Sequence, residues 1–238
     1  MRLLLLTFFI TTSFTLVAQP SVDEIVDTYF ENIGGKDAWR GIKSMKIVGQ
    51  GVQMGMNFPL TVIAKEPNLN KLTVDVQSMQ IIEAFDGEVA WTVNPFGGMT
   101  EPSKMSEEET KEASKQMFQD ALLDYKEKGH ALTMEGTEEY EGTEVFKLKL
   151  LKADGDEVIY FFDSEIMIPV AVRNFMNAGQ LKGQSVDTIT SDYQEVNGVM
   201  VPFSMKQAVN GQTMLEMTAT SVELNVPIAD SEFSFPGN

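Results

Sequence analysis

Apolar and polar residues alternate along most of this chain. From Val52 to Val62, Val52, Met54, Met56, Phe58, Leu60 and Val62 share one face, while Gln53, Gly55, Asn57, Pro59 and Thr61 share the other. This period-two pattern predicts a strand with one apolar side. Similar patterns predict strands over Met45–Gly51, Val52–Lys65, Asn70–Ser78, Met79–Phe85 and Glu88–Asn94. A second series covers His130–Gly136, Thr143–Leu151, Glu157–Asp163, Ile168–Asn177, Gln184–Tyr193, Val199–Val209 and Thr213–Asn225. Asp86-Gly87, Glu141-Gly142, Asp154-Gly155, Asn197-Gly198 and Asn210-Gly211 punctuate the series. Asx-Gly between alternating runs is the strongest short-range hairpin cue. Consecutive hairpins make an antiparallel meander.

Helical spacing appears in two places. Ser21 and Glu24 form a capping box ahead of Val22, Ile25, Val26, Tyr29, Phe30 and Ile33, and Gly34-Gly35 ends that helix. A short turn follows over Asp37–Ile42. Ser106 and Glu109 form a second capping box, which predicts a helix to about Met117 and a further helical piece over Asp120–Lys128. Pro95–Gly98 and Pro102 read as loop. About eleven or twelve strands therefore form one long antiparallel sheet. Open sheets of that length curl, and the amphipathic helices are the candidates to cover the concave side. The fold class is mainly β within α+β, as a single domain over 20–238 with no internal repeat.

Composition changes the picture at three points. Arg2 followed by the apolar run Leu3–Ile10, extended to Val17, and a small residue at Ala18 predicts an export signal over residues 1–19. The run is shorter than the ~20 residues of a membrane span. The chain has no cysteine, which excludes disulfides, thiolate chemistry and a cysteine-linked lipid anchor. Its net charge of −17 disfavours nucleic acid and anionic surfaces.

Candidate chemistry is sparse. His130 is the only histidine, and without a second histidine or a cysteine it reads as a loop-edge residue. The acidic clusters Glu107–Glu109, Glu138/Glu139/Glu141 and Asp154/Asp156/Glu157 read as a helix N-terminus and hairpin turns. No P-loop, nucleophile elbow or complete dinucleotide fingerprint is present, so no catalytic residue, metal or cofactor is expected. The chain does carry 15 methionines, Met54, Met56, Met79, Met117, Met134, Met176 and Met205 among them. Methionine suits both gap-filling in a core and walls that adapt to variable apolar partners, and spacing leaves both open.

Five stretches carry a family resemblance: Ile33–Trp39, Ile42–Lys46, Ala84–Phe96, Leu122–Gly129 and Ser191–Gly198 with Val201–Phe203. In these the chain resembles the LolA-like periplasmic outer-membrane lipoprotein carriers. The resemblance implies an unclosed, strongly curved antiparallel β-barrel with a helical lid. It implies an apolar cavity for lipoprotein acyl chains, a lipoprotein-releasing ABC transporter in the inner membrane as donor and an outer-membrane acceptor. On that model Met54, Met56, Phe58, Leu60, Val74, Val76, Trp91 and Val93 line the cavity. Met117, Phe118 and Leu122 form the lid, and Phe96 lies in a rim loop. A monomeric, non-enzymatic periplasmic carrier is expected. A carrier of free lipid or glycolipid, and an interaction module with a packed interior, stay open.

Overall fold

A computed structural model describes residues 19–237. The expected export signal lies outside them but for Gln19. One antiparallel sheet dominates, formed by β1 (Ser44–Gln53), β2 (Met56–Lys65), β3 (Leu69–Val76), β4 (Met79–Phe85), β5 (Ala90–Asn94) and β6 (Met99–Lys104), then β7 (Ala131–Tyr140), β8 (Thr143–Leu151), β9 (Glu157–Asp163), β10 (Pro169–Phe175), β11 (Ser185–Val196), β12 (Val199–Val209) and β13 (Gln212–Leu224). Its order is β6-β5-β4-β3-β2-β1-β13-β12-β11-β10-β9-β8-β7, thirteen strands with β6 and β7 as free edges. The sheet is unclosed, as expected. β1 pairs with both β2 and β13, which joins the two halves of the meander.

Helix α1 (Val22–Asn32) starts at the predicted capping box: Ser21 N donates to Glu24 Oε2 at 2.7 Å and Glu24 N to Ser21 Oγ at 3.3 Å. Its buried face, Ile25, Val26, Tyr29 and Phe30, packs on Phe146, Leu148, Leu150, Val158, Tyr160 and Phe162 of β8 and β9. α2 (Lys36–Arg40) is one turn, and its Trp39 bridges this core to a second one around Ile42, Val199, Val201, Val222 and Leu224. α3 (Glu107–Ser114) has the second capping box and lies over β4 and β5, where Ala90 N donates to Thr110 Oγ1.

Four expectations are corrected. The Val52–Val62 run is two strands, because Met54 and Gly55 form a hairpin turn with φ of 49° and 76°. Both central positions of such a turn need positive φ, and methionine does not advertise it as asparagine does. Met99–Lys104 is a strand rather than loop, since Pro102 is tolerated on an edge strand. The helix from Ser106 stops at Ser114, three residues short of Met117, where the chain turns away and Phe118 N donates to Pro67 O at 3.0 Å. Residues 121–129 are successive turns, not a helix. There Leu122 N caps on Asp120 Oδ1 at 2.8 Å, and Asp124 has φ of 54°, which a right-handed helix does not admit, while Leu122 and Leu123 are fully buried.

The convex face is closed differently. Residues 226–236 cross the outside of β2–β5, where Lys65 Nζ donates to Ile228 O and Lys71 Nζ to Glu232 O, both at 3.0 Å. Over β8–β10, Phe161 lies beneath Arg173, which makes a bidentate pair with Asp187 at 2.6 and 2.7 Å.

Candidate functional site: an apolar trough

Side-chain direction follows from register. Phe58, Leu60 and Val62 of β2 sit opposite Gly51, Gly49 and Ile47 of β1. Leu60 and Val62 also sit opposite Val74 and Leu72 of β3, and Val74 opposite Ile81 of β4. Gly51 and Gly49 sit opposite Met217 and Ala219 of β13. Directly paired residues share a face, so these side chains line one continuous surface on the concave side. Phe58, Leu60 and Val74 are buried and form its floor. Val62, Leu72, Val76, Ile81, Leu215 and Met217 are half-buried and form its walls. Gly51 lets the Phe58 ring lie flat on β1: a Cβ there would come within 2.1 Å of Phe58 Cε2.

Of the residues expected to line a cavity, the structure brings Phe58, Leu60, Val74 and Val76 together. Met56 shares their face but lies exposed at the strand's start, and Met54 is in the turn. Trp91 and Val93 are corrected to the opposite face. They pair with Ala84 and Ile82, whereas Ile81, Glu83 and Phe85 face the trough. Trp91 is instead buried under the C-terminal segment, donating Nε1–H to Phe233 O at 2.8 Å. Phe96 is exposed in the β5–β6 turn, and Met117 is exposed and belongs to none of the apolar clusters. Phe118 packs on the Ile42–Val201 core, and Leu122 is locked in the α1 core. Sequence reasoning missed Leu72, Ile81, Leu215 and Met217 as walls. Leu72-x-Val74-x-Val76 was a usable signal; Leu215 and Met217 depend on the β1–β13 pairing between opposite ends of the chain.

The segment covering the middle of the concave side is tied down by Asp120. Tyr29 Oη donates to Asp120 Oδ2 at 3.1 Å and Tyr160 Oη to Oδ1 at 3.4 Å. The residue keeps some exposed surface, but its carboxylate is enclosed. Burial pushes that carboxyl above the usual aspartate range, against the Leu122 N–H and Tyr29 hydrogen bonds, which pull it down. The folded state therefore holds this proton more tightly than the unfolded chain, and the Asp120 contribution to stability falls as pH rises from the ordinary aspartate value through the raised one. Asp120→Asn removes that contribution. Urea midpoints of both proteins across the acidic range are expected to converge as pH falls, with wild type losing ground to the variant as pH rises. Parallel curves would mean an ordinary Asp120.

Behind this segment an open cleft of about 570 Å³ is lined by Phe118, Ala121, Tyr160 and Val172 with Lys115, Lys128 and His130. Its cations are engaged: Lys115 with Glu112 and Asp156, Lys128 with the Asp120 carbonyl. His130 Nδ1 accepts from Ala153 N at 3.1 Å, and burial lowers its pKa. Among the described residues no group of three or more His, Cys, Asp or Glu could hold a metal ion. At the β4–β5 end of the trough stands Glu83, opposite Leu72 and Thr92; its carboxyl is raised by burial and by Glu109, although the side chain still reaches solvent.

No protein-family model matches the chain, and no curated protein matches its sequence. Solved structures share its fold. A DUF1329 family protein from Desulfovibrio piger superposes with a TM-score of 0.58 at 9% identity, over 90% of this chain and 97% of that one. A putative outer membrane lipoprotein-sorting protein domain from Vibrio parahaemolyticus gives 0.54 at 13% identity, over 83% and 92%. A LolA superfamily protein from Nitrosomonas europaea gives 0.53 at 10% identity, over 90% and 98%. The fold is LolA-like, as the sequence resemblance implied.

Proposed function

We propose that this chain is a non-enzymatic periplasmic carrier that holds the acyl chains of lipoproteins in the trough between β13 and β4. One observation carries the reading: the wall residues Val62, Leu72, Val76, Ile81, Leu215 and Met217 form a continuous apolar surface, left half-open over a buried floor. An unligated core would close such a surface. Each buried CH₂ contributes about 0.8 kcal/mol, so an acyl chain laid along this wall is strongly favoured over one in water. The LolA-like fold, found in a putative lipoprotein-sorting domain, supports the same reading. It extends to a single domain over 20–238 behind a cleaved signal at 1–19. The expected partners are an inner-membrane releasing transporter and an outer-membrane acceptor. Among the described residues no helix is long and apolar enough to cross a membrane.

Titration with a fluorescent fatty acid tests it. Saturable binding is expected, weakened about tenfold in Leu72→Glu; a half-exposed wall position leaves the fold intact, which circular dichroism checks. Absence of saturable binding, or equal binding by the variant, would overturn the reading. Native mass spectrometry and lipid extraction of protein isolated from its own envelope then separate an acylated protein cargo from free lipid.

A further inference from the structure

Of the ten large exposed apolar side chains among the described residues, Met117, Leu151, Ile166 and Phe175 lie elsewhere, but the other six gather in one place. Met54 (86% exposed), Met56 (56%), Met79, Phe96 (53%), Met99 and Met214 all lie at or beside one set of turns. These are the β1–β2, β3–β4, β5–β6 and β12–β13 turns, at Met54–Gly55, Gln77–Ser78, Pro95–Gly98 and Asn210–Gly211. Because the sheet order is β6-β5-β4-β3-β2-β1-β13-β12 and every pair is antiparallel, the four tips stand side by side on the same rim. They edge the open end of the trough.

The tips of this rim sector carry no charge. No Asp, Glu, Lys or Arg occurs in 47–64, 76–82, 89–100 or 207–215, in a chain that is 22% charged with a net charge of −17. The opposite ends of these strands are charged, with Lys43–Glu66 and Lys65–Asp230 ion pairs. So are rim turns on the other half of the sheet, where Lys152 pairs with Asp154 and Lys182 with Glu108. The neutral sector coincides with the apolar trough.

We infer that this rim docks on a lipid surface, inserting its methionine and phenylalanine tips at the headgroup–acyl boundary. A strongly acidic protein is repelled by anionic membranes, and an uncharged edge is the side on which approach costs least. Protein interfaces surround an apolar centre with a polar rim that includes charge; here the tips carry none, and the nearest acids, Asp75, Glu101 and Glu216, stand behind them along the strands. Flexible thioether side chains conform to a fluid boundary as rigid ones do not. Only the tips enter, so the paired backbone behind them keeps its ladder hydrogen bonds. Docked this way, the open end of the trough faces the acyl layer.

Flotation of the full chain with phosphatidylcholine vesicles, and separately with phosphatidylethanolamine/phosphatidylglycerol vesicles, tests the inference. Association with both is expected, undiminished by high salt because it rests on no attraction between charges. The combined variant Met54→Asn, Phe96→Ser, Met99→Ser should lower the bound fraction about tenfold. It should retain its melting temperature and its fatty-acid affinity in vesicle-free solution. No association by wild type, association abolished by salt, or equal association by the variant would overturn it. So would binding only to vesicles bearing envelope membrane proteins, which would assign the rim to a protein partner. Vesicle binding without fatty-acid binding would instead remove the carrier function and leave the rim standing.

Discussion

Phe162→Ala is expected to lower stability by about 3–5 kcal/mol, with a fall in melting temperature on the order of 10 °C. Phe162 is fully buried at the centre of the largest core. Its ring meets Tyr29 edge-on at 5.6 Å and stacks near Tyr160 at 6.1 Å. Those two tyrosines donate to Asp120, so truncation leaves a cavity under α1 and loosens the tie on residues 115–125 together. Calorimetry reads the first effect. Hydrogen exchange reads the second, as faster exchange at the Leu122 and Leu123 amides than in wild type at matched stability. A loss below ~1 kcal/mol would show that α1 collapses onto the space and that packing at this point is loose.

Gly34→Ala is expected to cost about 3 kcal/mol or more. Gly34 has φ of +109°, and a Cβ would come within 2.4 Å of Gly198 O and 2.9 Å of Val199 Cα. Both contacts are backbone, so neither can swing aside. The clash falls where the end of α1 is stitched to the sheet, as Met200 N donates to Ile33 O at 3.0 Å. Gly198→Ala is the comparator. Gly198 also has positive φ, at +86°, but its added Cβ would meet nothing within 4 Å, so only the backbone cost of about 1 kcal/mol applies. Equal urea midpoints for the two variants would remove the steric part of the argument.

Much of this architecture was legible in the sequence. Two capping boxes placed the starts of α1 and α3. The Glu141-Gly142, Asn197-Gly198 and Asn210-Gly211 turns placed hairpins, and alternation placed most strands. These signals are local: each depends on residues a few positions apart, whose conformational preferences act before any tertiary contact forms. Errors fell where a local signal was weak or missing. Met54-Gly55 turns the chain without asparagine or aspartate, Pro102 sits harmlessly on an edge, and the segment over 121–129 takes its shape from burying Leu122 and Leu123 against α1.

Residue by residue, the trough was harder to read. Sequence alone determined that Phe58, Leu60, Val74 and Val76 lie on apolar strand faces, and that the chain is acidic and free of cysteine. It could not determine which of the two faces of each strand is concave, because a shift of one residue in register exchanges them. The pairing of β4 with β5 sent Trp91 and Val93 outward. The pairing of β1 with β13, some 170 residues apart, brought Leu215 and Met217 to the wall. Those choices belong to the tertiary structure, since only the curl of the whole sheet and the helices packed inside it make one face a trough and the other an outer surface.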